Sequence, residues 1–215
     1  RALTEISLAR STGTPVTCEA TPHHLLLDQE DLSRKGGVAI MVPPLRKMGD
    51  VRALWRSLAG GRVDVVASDH APHSLKEKTA TDVWAVRPGL PELQTTLPLL
   101  LTKVNGGEIS LNRIVQALAE NPARIFGLRG KGRLAPGTEG DIVLINPKER
   151  FKIDSSTFYS KARFSPFDGL ECVGRPVMTI VSGRIVYDRG TIVEKNRGEV
   201  VTSEVRPRSS SSTAC

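Results

Sequence analysis

The first ten positions place Leu3, Ile6 and Leu8 at near-helical spacing, and Gly13-Thr14-Pro15 stops the run. A β-branched stretch from Val16 to Glu19 then reads as a strand. Leu25 to Leu32 and Val51 to Leu58 return to helical spacing, with Asp50 expected to cap the second. Between them, Val38 to Pro44 is expected to be extended, because a residue before proline is pushed out of the α region. Val63 to Ser68 (VDVVAS) is almost continuously apolar, as strands covered on both faces are, and it ends abruptly in Asp69-His70-Ala71-Pro72-His73. A long loop to Pro88-Gly89 leads into an apolar helix expected over Glu92 to Val104. Strand, polar cluster, loop and helix in succession is the grammar of a β/α barrel, whose chemistry sits on the loops after the strands.

Helices are expected over Leu111 to Glu120 and Pro122 to Phe126, and beyond Gly127 the pattern changes. Gly140 to Ile145, Val177 to Val181 and Arg184 to Tyr187 read as short strands, joined by turns at Ser182-Gly183 and Asp188-Arg189-Gly190. The expected fold class is therefore α/β: the last two strands of a (β/α)8 barrel over residues 1–127, then a small β-rich domain over 128–200. Residues 201–215, rich in serine, are expected to be disordered. The chain opens in mid-pattern without an initiator Met, so about 200 further upstream residues are expected from the size of a complete barrel.

Composition removes several classes of function. The formal net charge of +7 would suit a nucleic acid, but the basic residues are scattered and form no face interleaved with aromatics. No stretch approaches the roughly 18 apolar residues of a membrane span. The 3 cysteines, Cys18, Cys172 and Cys215, form no CxxC pair and no even framework, which fits a reducing cytoplasm.

All 4 histidines, His23, His24, His70 and His73, fall just beyond expected strand ends, where a barrel would gather them at one mouth with Asp69. Imidazole and carboxylate are the ligands of zinc-type hydrolysis, in which a bound water is acidified and attacks a carbonyl. A carboxylate ending a buried strand and followed at once by His-Ala-Pro-His points to function, whereas His23 alone is more simply a scaffold residue. Glu19 ends the other strand and is expected at the mouth or in an ion pair, and Cys18 beside it in the core. Arg46, in Pro43 to Arg46 (PPLR), either stiffens a loop or pairs with a substrate carboxylate. Pro88-Gly89 would bring bare backbone close to a ligand.

Together these residues resemble the dihydroorotases over nearly the whole chain, to about Val200. SDHAPH at Ser68 to His73 is the strongest match. TCEATPHHLLL (Thr17 to Leu27), PPLR, PGLPELQTTLPLLLT (Pro88 to Thr102) and NPARIFGL (Asn121 to Leu128) support it. GRLAPGTEGDIVLI, SPFDG and VMTIVSGRIVY in the tail module are common to many amidohydrolases.

The resemblance implies a binuclear zinc enzyme that interconverts dihydroorotate and N-carbamoyl-aspartate in pyrimidine synthesis. Asp69 would be a metal ligand and the general base, His73 would contact the substrate carboxylate, and Pro88 and Gly89 would touch the ring through their backbone. His23 and His24 match a motif outside the metal set. Two positions depart from the family: Val42 replaces a substrate-binding Asn, and Glu92 stands where Gly is usual. They leave room for a hydantoinase- or allantoinase-like amidohydrolase, and a non-catalytic scaffold for a transcarbamoylase is a further alternative. A homodimer is also open. The family's HxH pair, its bridging Lys or Asp and its two further metal histidines are absent from the chain, so by itself it is expected to have little or no activity.

Overall fold

The computed structural model describes residues 1–194 and 198–203, so the greater part of the tail expected to be disordered, 204–215, lies outside the described residues. Helix α1 spans Ala2–Ser11, and Arg10 in its last turn donates to the carbonyls of Val16 and Arg62 and pairs with Asp64. These bonds tie the helix to the strands that follow. Strand β1 is Glu19–Ala20, placed at the end of the expected run and shorter than it.

The single helix expected over Leu25 to Leu32 is two helices. Thr21 caps α2, Pro22–Leu26, and Asp28 caps α3, Gln29–Lys35, in a reciprocal box with Asp31. A short carboxylate satisfies orphan N–H groups at a helix start better than it fits a helix interior, so Asp28 breaks the run in two. The segment expected to be extended from Val38 begins instead as a 3-10 turn, Gly36–Ala39, and opens out at Ile40. Helix α4, Met48–Ala59, starts at Lys47 rather than at Asp50. Asp50 sits in its first turn, where a negative charge still meets the positive end of the helix dipole.

Strand β2, Val65–Val66, lies parallel to β1 with Glu19 opposite Val65 and Ala20 opposite Val66. Only two residues of the six-residue run Val63 to Ser68 pair, and β1 is the sole strand beside β2 among the described residues. Helix α5, Leu75–Lys78, is closed by a Ser74–Glu77 capping box. Helix α6, Thr96–Asn105, starts later than Glu92, whose carbonyl accepts from the N–H groups of Thr95 and Thr96. Helix α7, Leu111–Val115, passes through a π-helical turn, Gln116–Glu120, into α8, Asn121–Ile125. Pro122 has no N–H to continue an α ladder, and the wider turn accommodates it.

The remaining chain is a four-stranded antiparallel sheet in the order β3 (Ile142–Lys152), β4 (Glu171–Val181), β5 (Arg184–Asp188), β6 (Thr191–Ile192). The first two strands are longer than the alternation indicated, and register shifts between Leu144 and Ile145 and between Asn146 and Arg150 pass over Val177 and the Pro147–Glu149 stretch. Ser182 and Gly183, with φ of 49° and 76°, make the expected turn.

Two cores organise the molecule. One packs Ala20, Leu25, Leu58, Val63, Val66, Leu100 and Ile114 around the parallel pair. The other joins Leu27, Leu45 and Leu99 to Ile153, Phe158, Phe167 and Cys172 of the sheet region. Gly174 of β4 lies so close to α6 that an added Cβ would stand 2.7 Å from the Cβ of Leu101. Thr102 accepts a hydrogen bond from the N–H of Val173 at 3.0 Å, so helix and sheet are bonded as well as packed.

Candidate active site

The ends of β1 and β2 lie side by side, and the residues after them face one corner. Ala67 donates to the carbonyl of Ala20 at 3.0 Å, so the chains run together for one more residue before Thr21 turns into α2 and Ser68 leads to Asp69. Asp69 has φ of 48°, a left-handed conformation that aspartate tolerates better than most residues. Its side chain is exposed and has no hydrogen bond among the described residues. Its charge nevertheless acts on His23, His24 and Glu92, which places the carboxylate beside all three.

The Pro88 loop closes against the segment that follows Asp69. His70 and Leu90 form a parallel bridge, and Ala71 donates to the carbonyl of Leu90 at 3.0 Å. Gly89 has φ of 141°, and a Cβ there would lie 2.4 Å from the carbonyl oxygen of Ala71 and 3.1 Å from the His73 ring, so glycine is required on both conformational and steric grounds. The Nε2 of His73 lies 3.0 Å from the carbonyl of Pro88 and must donate to it. The N–H of Gly89 is bonded to Ile40 at 3.2 Å, leaving the carbonyl of Gly89 as the open backbone group of the pair among the described residues. Asp69, His73, Pro88 and Gly89 are thus brought together.

His23 and Glu92 are both fully buried, with Nδ1 2.9 Å from Oε2. Burial lowers the His23 pKa to about 4, partly opposed by Asp69. Burial, reinforced by the charge of Asp69, pushes the Glu92 carboxyl up to about 9. The remaining oxygen of Glu92, Oε1, is sealed from solvent and unbonded. His24 is also moved below the usual histidine range, by burial, by His23 and by the charge of Arg46, against the pull of Pro43 and Asp69. Arg46 is therefore close to this corner, while its side chain stays exposed. Glu19 is exposed and takes no part in the hydrogen-bonded cluster. Cys18 is half-buried against the first core, and Cys18 and Cys172 are both free.

The proximity expected of His24 and Asp69 is present, but His24 has no lone pair to give a metal. Its Nε2 meets the carbonyl of Pro43 at 2.9 Å and its Nδ1 meets Thr21 at 2.7 Å. His23 likewise uses both nitrogens, and the Nδ1 of His70 accepts from Glu92 N–H at 3.0 Å. No group of three or more His, Cys, Asp or Glu among the described residues is placed to hold a metal ion. Asp69 and the Nδ1 of a neutral His73 are the open donors of this corner among the described residues, too few to make a metal centre by themselves.

Reading motifs along the chain missed Thr21 as the junction of the two imidazoles, and Lys78. Lys78 is fully buried with Nζ 2.9 Å from the carbonyls of Ile40 and Arg87, the segments that flank the Pro88 loop. Its sequence setting, polar and charged, carries no sign of this. Glu92 did carry one, as a lone charge opening an apolar helix.

Residues 102–187 match the model of the amidohydrolase family. The proteins the chain resembles include dihydroorotases and hydantoinases. It is 47% identical to a dihydroorotase of Methanothermobacter thermautotrophicus over 88% of this chain and 43% of that protein, and 45% identical to one from Halobacterium salinarum over 82% and 41%. An L-hydantoinase (dihydropyrimidinase) structure from Arthrobacter aurescens superimposes with a TM-score of 0.90 at 36% identity, over 93% of this chain and 46% of that one. The chain thus spans less than half the length of the relatives it matches.

Proposed function

We propose that the protein carrying this chain is a dihydroorotase, opening the cyclic amide of dihydroorotate reversibly to N-carbamoyl-L-aspartate. The observation that carries the reading is the carboxylate of Asp69, exposed and without a hydrogen bond among the described residues, just before the His70–Leu90 bridge that joins its segment to the Pro88–Gly89 loop. The sequence relatives support this substrate over the hydantoins. In this reading β1 and β2 are adjacent strands of a β/α barrel, with the four-stranded sheet as its companion domain. The change of architecture falls near residue 127, and a location in the cytoplasm accords with the free thiols of Cys18 and Cys172.

Asp69 takes a proton from water as its oxygen attacks the ring carbonyl carbon, then gives that proton to the ring nitrogen as the C–N bond breaks. The carbonyl of Gly89 accepts from a ring N–H. The carbonyl of Pro88 holds His73, whose Nδ1 can donate to the substrate carboxylate when the ring carries both protons. Zinc, binuclear in this reading, would take Asp69 as a ligand and need its other donors from outside this chain.

Asp69→Asn tests the assignment, because asparagine tolerates the same backbone conformation and should leave folding intact. In the complete enzyme, ring opening is expected to fall by about 10²- to 10⁴-fold with an unchanged unfolding midpoint. Turnover near that of the parent would remove Asp69 from the chemistry.

One observation favours a second reading. Val42 is 69% exposed beside Pro43 and adds neither donor nor acceptor to the mouth, which suits a hydantoin with an apolar substituent. Faster turnover of such hydantoins than of dihydroorotate would select it.

A further inference from the structure

Five polar groups form an unbroken chain across the corner, and one end of it fixes the direction. The carbonyl of Pro43 can only accept, so the Nε2 of His24, 2.9 Å away, carries a proton. In a neutral His24 the Nδ1 is then an acceptor, and Thr21 Oγ1, at 2.7 Å, gives it its single proton. With that proton spent, Thr21 accepts from the Nε2 of His23 at 2.9 Å. A neutral His23 has an accepting Nδ1, and the Glu92 Oε2 at 2.9 Å must be the donor, which requires a carboxylic acid.

Two charged arrangements would also satisfy the distances. The first makes His23 an imidazolium against a Glu92 carboxylate. That anion would be fully buried, with Oε1 unbonded and the charge of Asp69 beside it. Burying an ionised carboxylate so poorly satisfied costs far more than burying an acid with one bare carbonyl oxygen. The second charges His24 and reverses the three bonds from His24 to Glu92, and it places that cation near Arg46 while leaving Glu92 ionised. Burial drives His23 and Glu92 toward their neutral forms in any case.

We propose that Glu92, His23, Thr21 and His24 form a neutral, one-directional hydrogen-bond relay ending on the carbonyl of Pro43, with Glu92 as its carboxylic acid and a positioning residue of the mouth. The N–H of Glu92 also holds the Nδ1 of His70 at 3.0 Å. One residue therefore joins the turn after β1, the loop at Pro43, the segment after β2 and its own loop. It does so without adding a second negative charge next to Asp69.

Nitrogen-15 NMR of the imidazoles in the full 215-residue chain near neutral pH reads the relay directly, independently of catalysis. His23 and His24 are each expected to show a protonated Nε2 and an unprotonated Nδ1. Glu92→Gln should preserve both patterns, because the amide N–H replaces the acid as donor to His23. A doubly protonated His23, a protonated Nδ1 on either ring, or a change of pattern in Glu92→Gln would overturn the proposal.

Discussion

Lys78 shows how a single buried cation can shape the stability of a loop. Its ammonium is shut away from solvent against two carbonyls and no carboxylate, and burial lowers its pKa to about 8. The unfolded chain, with an ordinary lysine near 10.5, binds more protons between those two values, so stability from this group rises with pH across that window. Lys78→Met removes the titration. The stability gap between parent and variant is therefore expected to widen in favour of the parent from about pH 8 to 10.5, as followed by denaturant midpoints. A gap that stays constant with pH would show that the native ammonium is not desolvated. The contrast with Asp69 is instructive. The motif SDHAPH exposes its chemistry to anyone reading along the chain, whereas Lys78 acquires its role through backbone carbonyls that carry no side-chain signature.

At the scale of elements, the contact of α6 with β4 gives a sharp test. Gly174 has φ of 106° and its missing Cβ would collide with Leu101, whereas Gly137 has φ of 83° and open space around it. Gly174→Ala should therefore cost about 2–4 kcal/mol, from backbone strain and overpacking together, and Gly137→Ala about 1–2 kcal/mol, from strain alone. Chemical denaturation of both variants checks it, and equal losses would dismiss the close approach. These elements were unevenly legible in the sequence. VDVVAS announced a buried strand, yet only Val65 and Val66 pair, because pairing is a property of the neighbour as much as of the strand. In β3 and β4 the error ran the other way. The expected strands ended at Ile145 and began at Val177, but the ladder runs on through register shifts to Lys152 and Glu171. Asp28 could have been recognised as a cap from its own chemistry, and the corner itself was legible as SDHAPH and TPHH. Its internal wiring was not, since Thr21 and Glu92 are 71 positions apart in the printed chain and meet only through His23.

For the whole molecule, the packing joins the helical part to the four-stranded sheet. Leu99 of α6 shares a core with Ile153, Phe158, Phe167 and Cys172, and Asn105 donates to the carbonyls of Pro147 and Val173 at 2.9 and 3.2 Å. A polypeptide of residues 128–215 alone is accordingly expected to lack a cooperative unfolding transition by near-UV circular dichroism, because half of that core is left behind. A sharp transition in the isolated piece would show that the sheet needs nothing from α6. The bare backbone of Gly174 under Leu101 also limits how such proteins can be recombined: a chimera that exchanges the sheet between relatives must carry α6 with it, or the donor strand will meet a helix surface shaped for someone else's side chains.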